Sequence, residues 1–218
     1  MKIAASNLLT DAWPEILTPA DQFFAALFRG QSGILELRTV ALANTPYEGK
    51  IAARFRDFVP VQDGRFDGRR VSRFLTNVTA RKMAAYFGVA LRTPQAAIDR
   101  KGTVAYCQSL TTLFADCDFK ALGEVETRAR LSEFAIAPSA VVHSGGGLHV
   151  YWFLRDPLDL HTVAGVNDAR SRLRGLAKAI VGIVDISCCE PARVLRVPGS
   201  LNFKKAYGEP RPVVLEKI

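Results

Sequence analysis

An apolar run closes on two carboxylates one residue apart at Leu113-Phe114-Ala115-Asp116-Cys117-Asp118-Phe119-Lys120. The run reads as a strand, and a strand repeats every second residue. Asp116 and Asp118 therefore share one face, and Cys117 points to the other. Two carboxylates on one face at a strand end repel each other unless a cation lies between them. An all-oxygen site of that kind suits Mg²⁺ or Mn²⁺. By itself the same pattern is also a solvated strand terminus, so the rest of the chain decides between the two.

The strand sits in a chain of 218 residues, enough for one sizeable domain or two small lobes sharing a core. A net charge of +8 favours an anionic partner. No apolar run reaches the roughly 18 residues of a membrane span. The N-terminus, with Lys2, Ser6, Asn7, Asp11 and Trp13, has no apolar core of a signal peptide, so a cytoplasmic protein with no membrane partner is expected. The cysteines (Cys107, Cys117, Cys188, Cys189) lack the spacing of a zinc site. No zinc is expected, and the thiols read as reduced and mostly buried.

Along the chain, Thr18-Pro19-Ala20-Asp21 starts a helix that stops at Gly30, with Phe23, Phe24, Leu27 and Phe28 as its apolar face. Ile34 to Leu42 predicts a strand in which Leu35 and Leu37 alternate with Glu36 and Arg38. A turn at Asn44–Gly49 and a strand from Ala52 to Val59 would complete a hairpin. Gln62 to Gly68 reads as a mobile loop, Arg69 to Leu75 as a short helix, Met83 to Leu91 as a strand, and Thr93 to Gly102 as a polar connection. Glu124 to Phe134 is a short helix. Ala140–Ser144 and Leu148–Leu154 form a hairpin around Gly145-Gly146-Gly147. Asp159 to Val181 is the longest helix, with an apolar stripe from Val163 and Val166 through Leu173, Leu176, Ala177 and Ile180. Arg170, Arg174 and Lys178 form a basic stripe beside it, equally readable as a solvated face. Val213 to Glu216 returns to a sheet. Helices and strands mix without strict alternation, which predicts an α+β fold.

Two further clusters bear on the carboxylates. His143-Ser144-Gly145-Gly146-Gly147-Leu148-His149 offers glycine backbone that can approach a phosphate closely, with His149 at a strand start. Val184-Asp185 is followed by Arg193-Val194-Leu195-Arg196-Val197-Pro198-Gly199-Ser200-Leu201-Asn202-Phe203-Lys204. Arginine forks suit bidentate contact with phosphate, and Lys204 suits a point contact. A structural ion pair such as Glu190–Arg193 is the alternative. Three carboxylates can hold two divalent ions while the basic groups hold a triphosphate, which is the equipment for in-line nucleotidyl transfer.

This order of residues resembles the archaeo-eukaryotic primase superfamily, in particular the compact primase-polymerases of phages, plasmids and CRISPR-associated systems. Asp116/Asp118, Gly147-Leu148-His149 and Val184-Asp185 match its DxD, small-x-His and hydrophobic-Asp motifs. Arg193 through Lys204 matches an Arg-x-x-Arg-x-Pro-Gly-Ser/Thr-x-Asn-x-Lys tail, and Tyr86-Phe87-Gly88-Val89 with Arg92 is similar further upstream. The resemblance implies one catalytic domain over 1–218, with an N-terminal α/β part at 1–82. An RRM-like part with a mixed or antiparallel sheet flanked by helices, at 83–218, would carry the motifs. It implies a two-metal Mg²⁺ or Mn²⁺ site on Asp116, Asp118 and Asp185, and a dNTP or NTP bound by Ser144, His149, Arg193, Arg196, Asn202 and Lys204. The implied partners are a single-stranded DNA template and primer, with a helicase or another replication or CRISPR protein beside them. The expected activity is template-dependent DNA polymerisation, ahead of primer initiation. The alternatives are a catalytically idle nucleic-acid-binding replication module, and a metal-dependent nuclease or other nucleotidyltransferase.

Overall fold

A computed structural model describes residues 17–40, 55–180, 182, 184 and 186–218. Helix α1 (Pro19–Leu27) begins with a capping box: the Thr18 hydroxyl accepts from the Asp21 N–H, and the Asp21 carboxylate accepts from the Thr18 N–H. Strands β1 (Gly33–Thr39) and β2 (Arg56–Gln62) pair antiparallel, as the sequence predicts. The turn expected at Asn44–Gly49, residues 41–42 and residues 52–54 lie outside the described residues. β2 continues into β3 (Arg65–Phe66) through Asp63 and Gly64, at φ 50° and 75°. The predicted loop is therefore a tight hairpin, the conformation Asp-Gly favours.

Helix α2 (Gly68–Ala80) is longer than the predicted Arg69–Leu75, and Asp67 caps it. The predicted Met83–Leu91 strand divides into β4 (Ala85–Gly88) and β5 (Leu91–Arg92). The expected polar connection holds helix α3 (Pro94–Asp99), begun by a proline in its first turn. β6 (Cys107–Asp118) carries the paired carboxylates at its end, and α4 (Gly123–Glu133) follows. β7 (Ala140–His143) and β8 (Gly147–Asp159) form the predicted glycine hairpin, with β8 several residues longer than expected. Helix α5 (Val163–Ala179) starts at a Thr162 cap rather than at Asp159, and Val163 is exposed rather than part of the apolar stripe. The chain ends in β9 (Val194–Arg196), β10 (Leu201–Asn202), β11 (Arg211–Pro212) and β12 (Val214–Lys217).

These elements give the predicted α+β architecture: a large sheet in the order β12-β7-β8-β6-β5-β1-β2-β3, with helices packed around it. β4 joins β1 to β9, so the tail strand enters the same sheet through the N-terminal part of the chain. Every strand pairing among the described residues is antiparallel.

One side of the sheet is closed by α1. Phe23 and Phe24 are fully buried and meet Phe87 edge-on at centroid distances of 5.5 and 5.1 Å, and Phe23 meets Tyr151 at 5.0 Å. Burying each such ring contributes roughly 1.5–3 kcal/mol, so this cluster fixes the floor under β6 and β8. On the opposite side, Cys117, Leu148, Val150 and Trp152 pack against Leu131 of α4, Phe134 just past its end, and Leu176 of α5. With both sides covered, period-two alternation fails on β1: Glu36, expected to alternate outward, is fully buried. No helix among the described residues is long and apolar enough to cross a membrane.

Candidate active site

The antiparallel register of β6 and β8 sets Asp116 opposite His149, Cys117 opposite Leu148, and Asp118 opposite Gly147. Residues opposite one another share a face. Asp116 and Asp118 therefore stand beside the histidine and the glycine turn, as the strand period requires. Cys117 is wholly buried on the other face, where burial and, second, the charge of Asp116 push its thiol up to about 12. A backbone bridge ties Cys117 to Val184. Asp185, the third expected carboxylate, lies outside the described residues.

Asp116 is 24% exposed and is approached from three directions. His149 Nε2 lies 3.7 Å from Oδ1, Arg193 Nη2 lies 3.4 Å from Oδ2, and Cys188 Sγ donates to Oδ2 across 3.6 Å. None of these contacts is short, so the carboxylate is surrounded without being saturated. The His149 imidazole is 2% exposed and held down to about 4, because burial outweighs the opposing pull of Asp116. It is neutral at pH 7, and its Nδ1 is buried without a hydrogen-bond partner. Arg193 takes its ion pair from Asp116 rather than from Glu190, which pairs instead with Arg170 at 2.8 Å.

The tail residues divide into groups that face the cleft and groups that build it. Ser144 is buried, and its hydroxyl donates to the Gly147 carbonyl (3.1 Å), closing the glycine turn. Asn202 is buried as well. Its amide donates to the Ser144 carbonyl (2.9 Å), and its side-chain oxygen accepts from Arg196 Nη2 (3.2 Å) and the Lys204 N–H (3.1 Å). Asn202 thus joins the turn to both tail cations. The Arg196 guanidinium also stacks over Tyr86 at 5.2 Å, its neighbour across the β4–β9 pair. Gly147 has a steric reason to be glycine, because a Cβ there would collide with the Cys117 carbonyl.

Three residues of this region carry no mark in the sequence reading as site groups. The Lys204 ammonium is depressed below an ordinary lysine by burial and by contact with Lys120, with Asp118 pulling the other way. Lys120 lies two residues past Asp118, and that spacing was the available signal. Arg211 stacks on Tyr207 at 4.0 Å and donates to the Gly145 carbonyl at 3.1 Å. Tyr207 in turn sits against Gly146, so that a Cβ on Gly146 would strike its hydroxyl. Nothing local in the sequence announces Tyr207 or Arg211.

Among the described residues, no group of three His, Cys, Asp or Glu side chains gathers as a metal cage. The pair Asp116/Asp118 is nevertheless the donor chemistry a hard divalent cation takes: carboxylate oxygens on one face, beside a neutral imidazole. A groove of about 480 Å³ lies elsewhere, between α2 and β2. Its wall is occupied by the Arg70–Asp57 ion pair.

Comparison with family models and with curated proteins finds no match. Among solved structures, the fold resembles the AEP domain of the cyanophage S-2L primase-polymerase, with a TM-score of 0.56 and 16% identity over 88% of this chain and 86% of that one. It also resembles the primase RepB′, with a TM-score of 0.52 and 13% identity over 91% of this chain. Only 56% of that chain is covered, so the present chain spans a little over half its length. These two likenesses give the chain an AEP-like primase-polymerase fold.

Proposed function

We propose that this chain is a nucleotidyltransferase of the primase-polymerase kind, extending a primer on a single-stranded DNA template. The observation that carries this reading is the mixed-charge cleft at the end of β6 and β8. Asp116 and Asp118 share one face, Arg193 lies against Asp116, Lys204 lies close to Lys120 and Asp118, and Arg196 is held by Asn202. Two ammonium groups in contact repel unless an anion separates them, and a triphosphate is an anion of the right chemistry.

In this reading Lys120, Lys204 and Arg196 hold the triphosphate. The glycine turn brings backbone amides close to it, and neutral His149 offers a hydrogen bond without adding charge. Asp116, Asp118 and Asp185 would hold Mg²⁺ or Mn²⁺, which when bound neutralises the charge developing on the phosphate and lowers the pKa of the attacking hydroxyl. The primer 3′-oxygen attacks the α-phosphorus, the bond to the bridging oxygen of the β-phosphate breaks, and pyrophosphate leaves. Arg193, already against Asp116, is placed to bind the α-phosphate of the incoming nucleotide.

The basic stripe of α5 gives the DNA strand a path. Arg170, Arg174 and Lys178 recur every four residues, about 6 Å apart along the axis. They line a groove of about 420 Å³ with Asn167, Ser171 and Gly175. Arg170 links that groove to the cleft through Glu190, three residues before Arg193.

Primer extension on a single-stranded template with Mg²⁺ or Mn²⁺ tests the proposal. Wild type should extend the primer, and Asp116→Ala/Asp118→Ala should not. Full extension by the double variant would remove the metal assignment. Extension without template would make the chain a terminal transferase, and strand shortening would make it a nuclease.

A further inference from the structure

Glu36 and Arg92 form an ion pair in which both side chains are fully removed from water, with Arg92 Nε 3.0 Å from Glu36 Oε2. Taking two charges out of water is costly, and their attraction roughly offsets that cost, so such a pair is poorly explained as a stabiliser. The space around it is shaped for it. A Cβ on Gly88 would run into the Arg92 guanidinium, and a Cβ on Gly102 would run into the Glu36 carboxylate. Arg56 Nε lies 3.3 Å from Glu36 on its other oxygen. The Arg92 nitrogens not turned to Glu36 reach away from it: Nη1 donates to Cys107 Sγ (2.6 Å), and Nη2 donates to the Ala192 carbonyl (3.3 Å).

Ala192 immediately precedes Arg193, the residue whose guanidinium lies against Asp116. The Arg193 carbonyl accepts from the Val89 N–H at 3.1 Å, so the backbone on both sides of this peptide is tied to the β4–β5 segment. We propose that Arg92, locked in orientation by Glu36, is a positioning residue for Arg193. It pins the Ala192 carbonyl, and so fixes where the chain entering β9 delivers the Arg193 guanidinium. The proposal rests on Arg193 being a nucleotide-phosphate ligand, as above.

The test measures the apparent KM for nucleotide, kcat and thermal stability in four proteins beside wild type. Glu36→Leu/Arg92→Met replaces the pair with apolar side chains of similar size; it also takes the carboxylate from Arg56, whose side chain is 14% exposed, so its unfolding midpoint is read beside its kinetics. Its KM should rise about tenfold, the size of one weakened charge-assisted hydrogen bond, with kcat little changed. Arg92→Lys keeps a charge for Glu36 but loses the fork that reaches Ala192. It should show the same rise, and it serves where the double variant folds poorly. Arg193→Ala should raise KM, and adding it to Glu36→Leu/Arg92→Met should raise KM little further, because both act through one contact. A purely structural pair would instead lower stability, with KM unmoved. If Arg193→Ala raises KM while Arg92→Lys and the folded double variant keep wild-type values, the positioning role is overturned and the reading of Arg193 stands. If Arg193→Ala leaves KM unchanged, that reading fails and the positioning role fails with it.

Discussion

Two ionic clusters sit in the same sheet about one strand apart in the chain's topology, and they are built in opposite ways. At Glu36–Arg92 both partners are dry, the Nε–Oε2 distance is 3.0 Å, and the guanidinium is engaged by a carboxylate, a thiol and a carbonyl. At Asp116 the contacts are long, 3.4 to 3.7 Å, the carboxylate is partly wet, and the surrounding groups keep unused capacity. Both clusters hold buried polar atoms without a hydrogen-bond partner, His149 Nδ1, Arg193 Nε and Arg196 Nε around Asp116 and Glu36 Oε1, Arg38 Nε and Arg56 Nε around Glu36, so contact length and access to water are what separate them. Buried polar atoms are rarely left unpaired without a reason. A tight cluster holds backbone in place. A loose cluster of opposite charges at a strand end keeps its groups available for something else to bind.

The difference can be broken from either side. The largest expected effect is on the tight cluster. Arg92→Ala takes the fully buried partner from Glu36 and leaves it only the longer contacts to Arg56 and Arg38, and should cost roughly 3–5 kcal/mol of unfolding free energy, read as a lower midpoint in urea. Asp116→Asn removes a charge that is only loosely paired, so its midpoint should shift far less. Equal losses would mean the two clusters are built alike.

Next comes Gly147→Ala. The new Cβ meets the Cys117 carbonyl rather than a movable side chain. Overpacking of this kind should cost roughly 1–3 kcal/mol and reduce extension along with stability. Arg196→Ala should raise the apparent nucleotide KM by about tenfold and leave the urea midpoint close to wild type, since its partners are Asn202 and the face of Tyr86. An unchanged KM would remove Arg196 from the triphosphate site.

The smallest effect is on the α5 stripe. Arg174→Ala/Lys178→Ala should flatten the plot of log affinity for single-stranded DNA against log salt by roughly 1.4, two phosphate contacts at about 0.7 each. An unchanged slope would return the stripe to a solvated face.

Much of this was legible in the sequence where a rule is local. The Thr18–Asp21 spacing names its capping box, and the period of two puts Asp116 beside Asp118 and hides Cys117. The Arg-x-x-Arg tail also stays together in the fold, because Asn202 accepts from both Arg196 and the Lys204 N–H. What failed depended on neighbours the sequence does not state. Glu36 alternates like an outward residue, but β1 is covered on both sides and meets its countercharge 56 positions later, at Arg92. Arg193 has a carboxylate close by in sequence at Glu190, yet pairs with Asp116 across the sheet. Lys120 and Arg211 join the candidate site only once Lys204 and Gly145 are folded beside them. At Asp63-Gly64 the turn signal is local, and the loop predicted there closes as a tight hairpin with both residues at positive φ.

If the loosely paired carboxylates form a divalent-cation site rather than an inert ion pair, Mn²⁺ binds there without any turnover. Titration of wild type with Mn²⁺ in the presence of a non-hydrolysable nucleoside triphosphate should show saturable binding of the ion to the protein. Asp116→Asn/Asp118→Asn, with its unfolding midpoint close to wild type, should abolish that binding. Mn²⁺ bound equally well by the folded double variant would contradict the account.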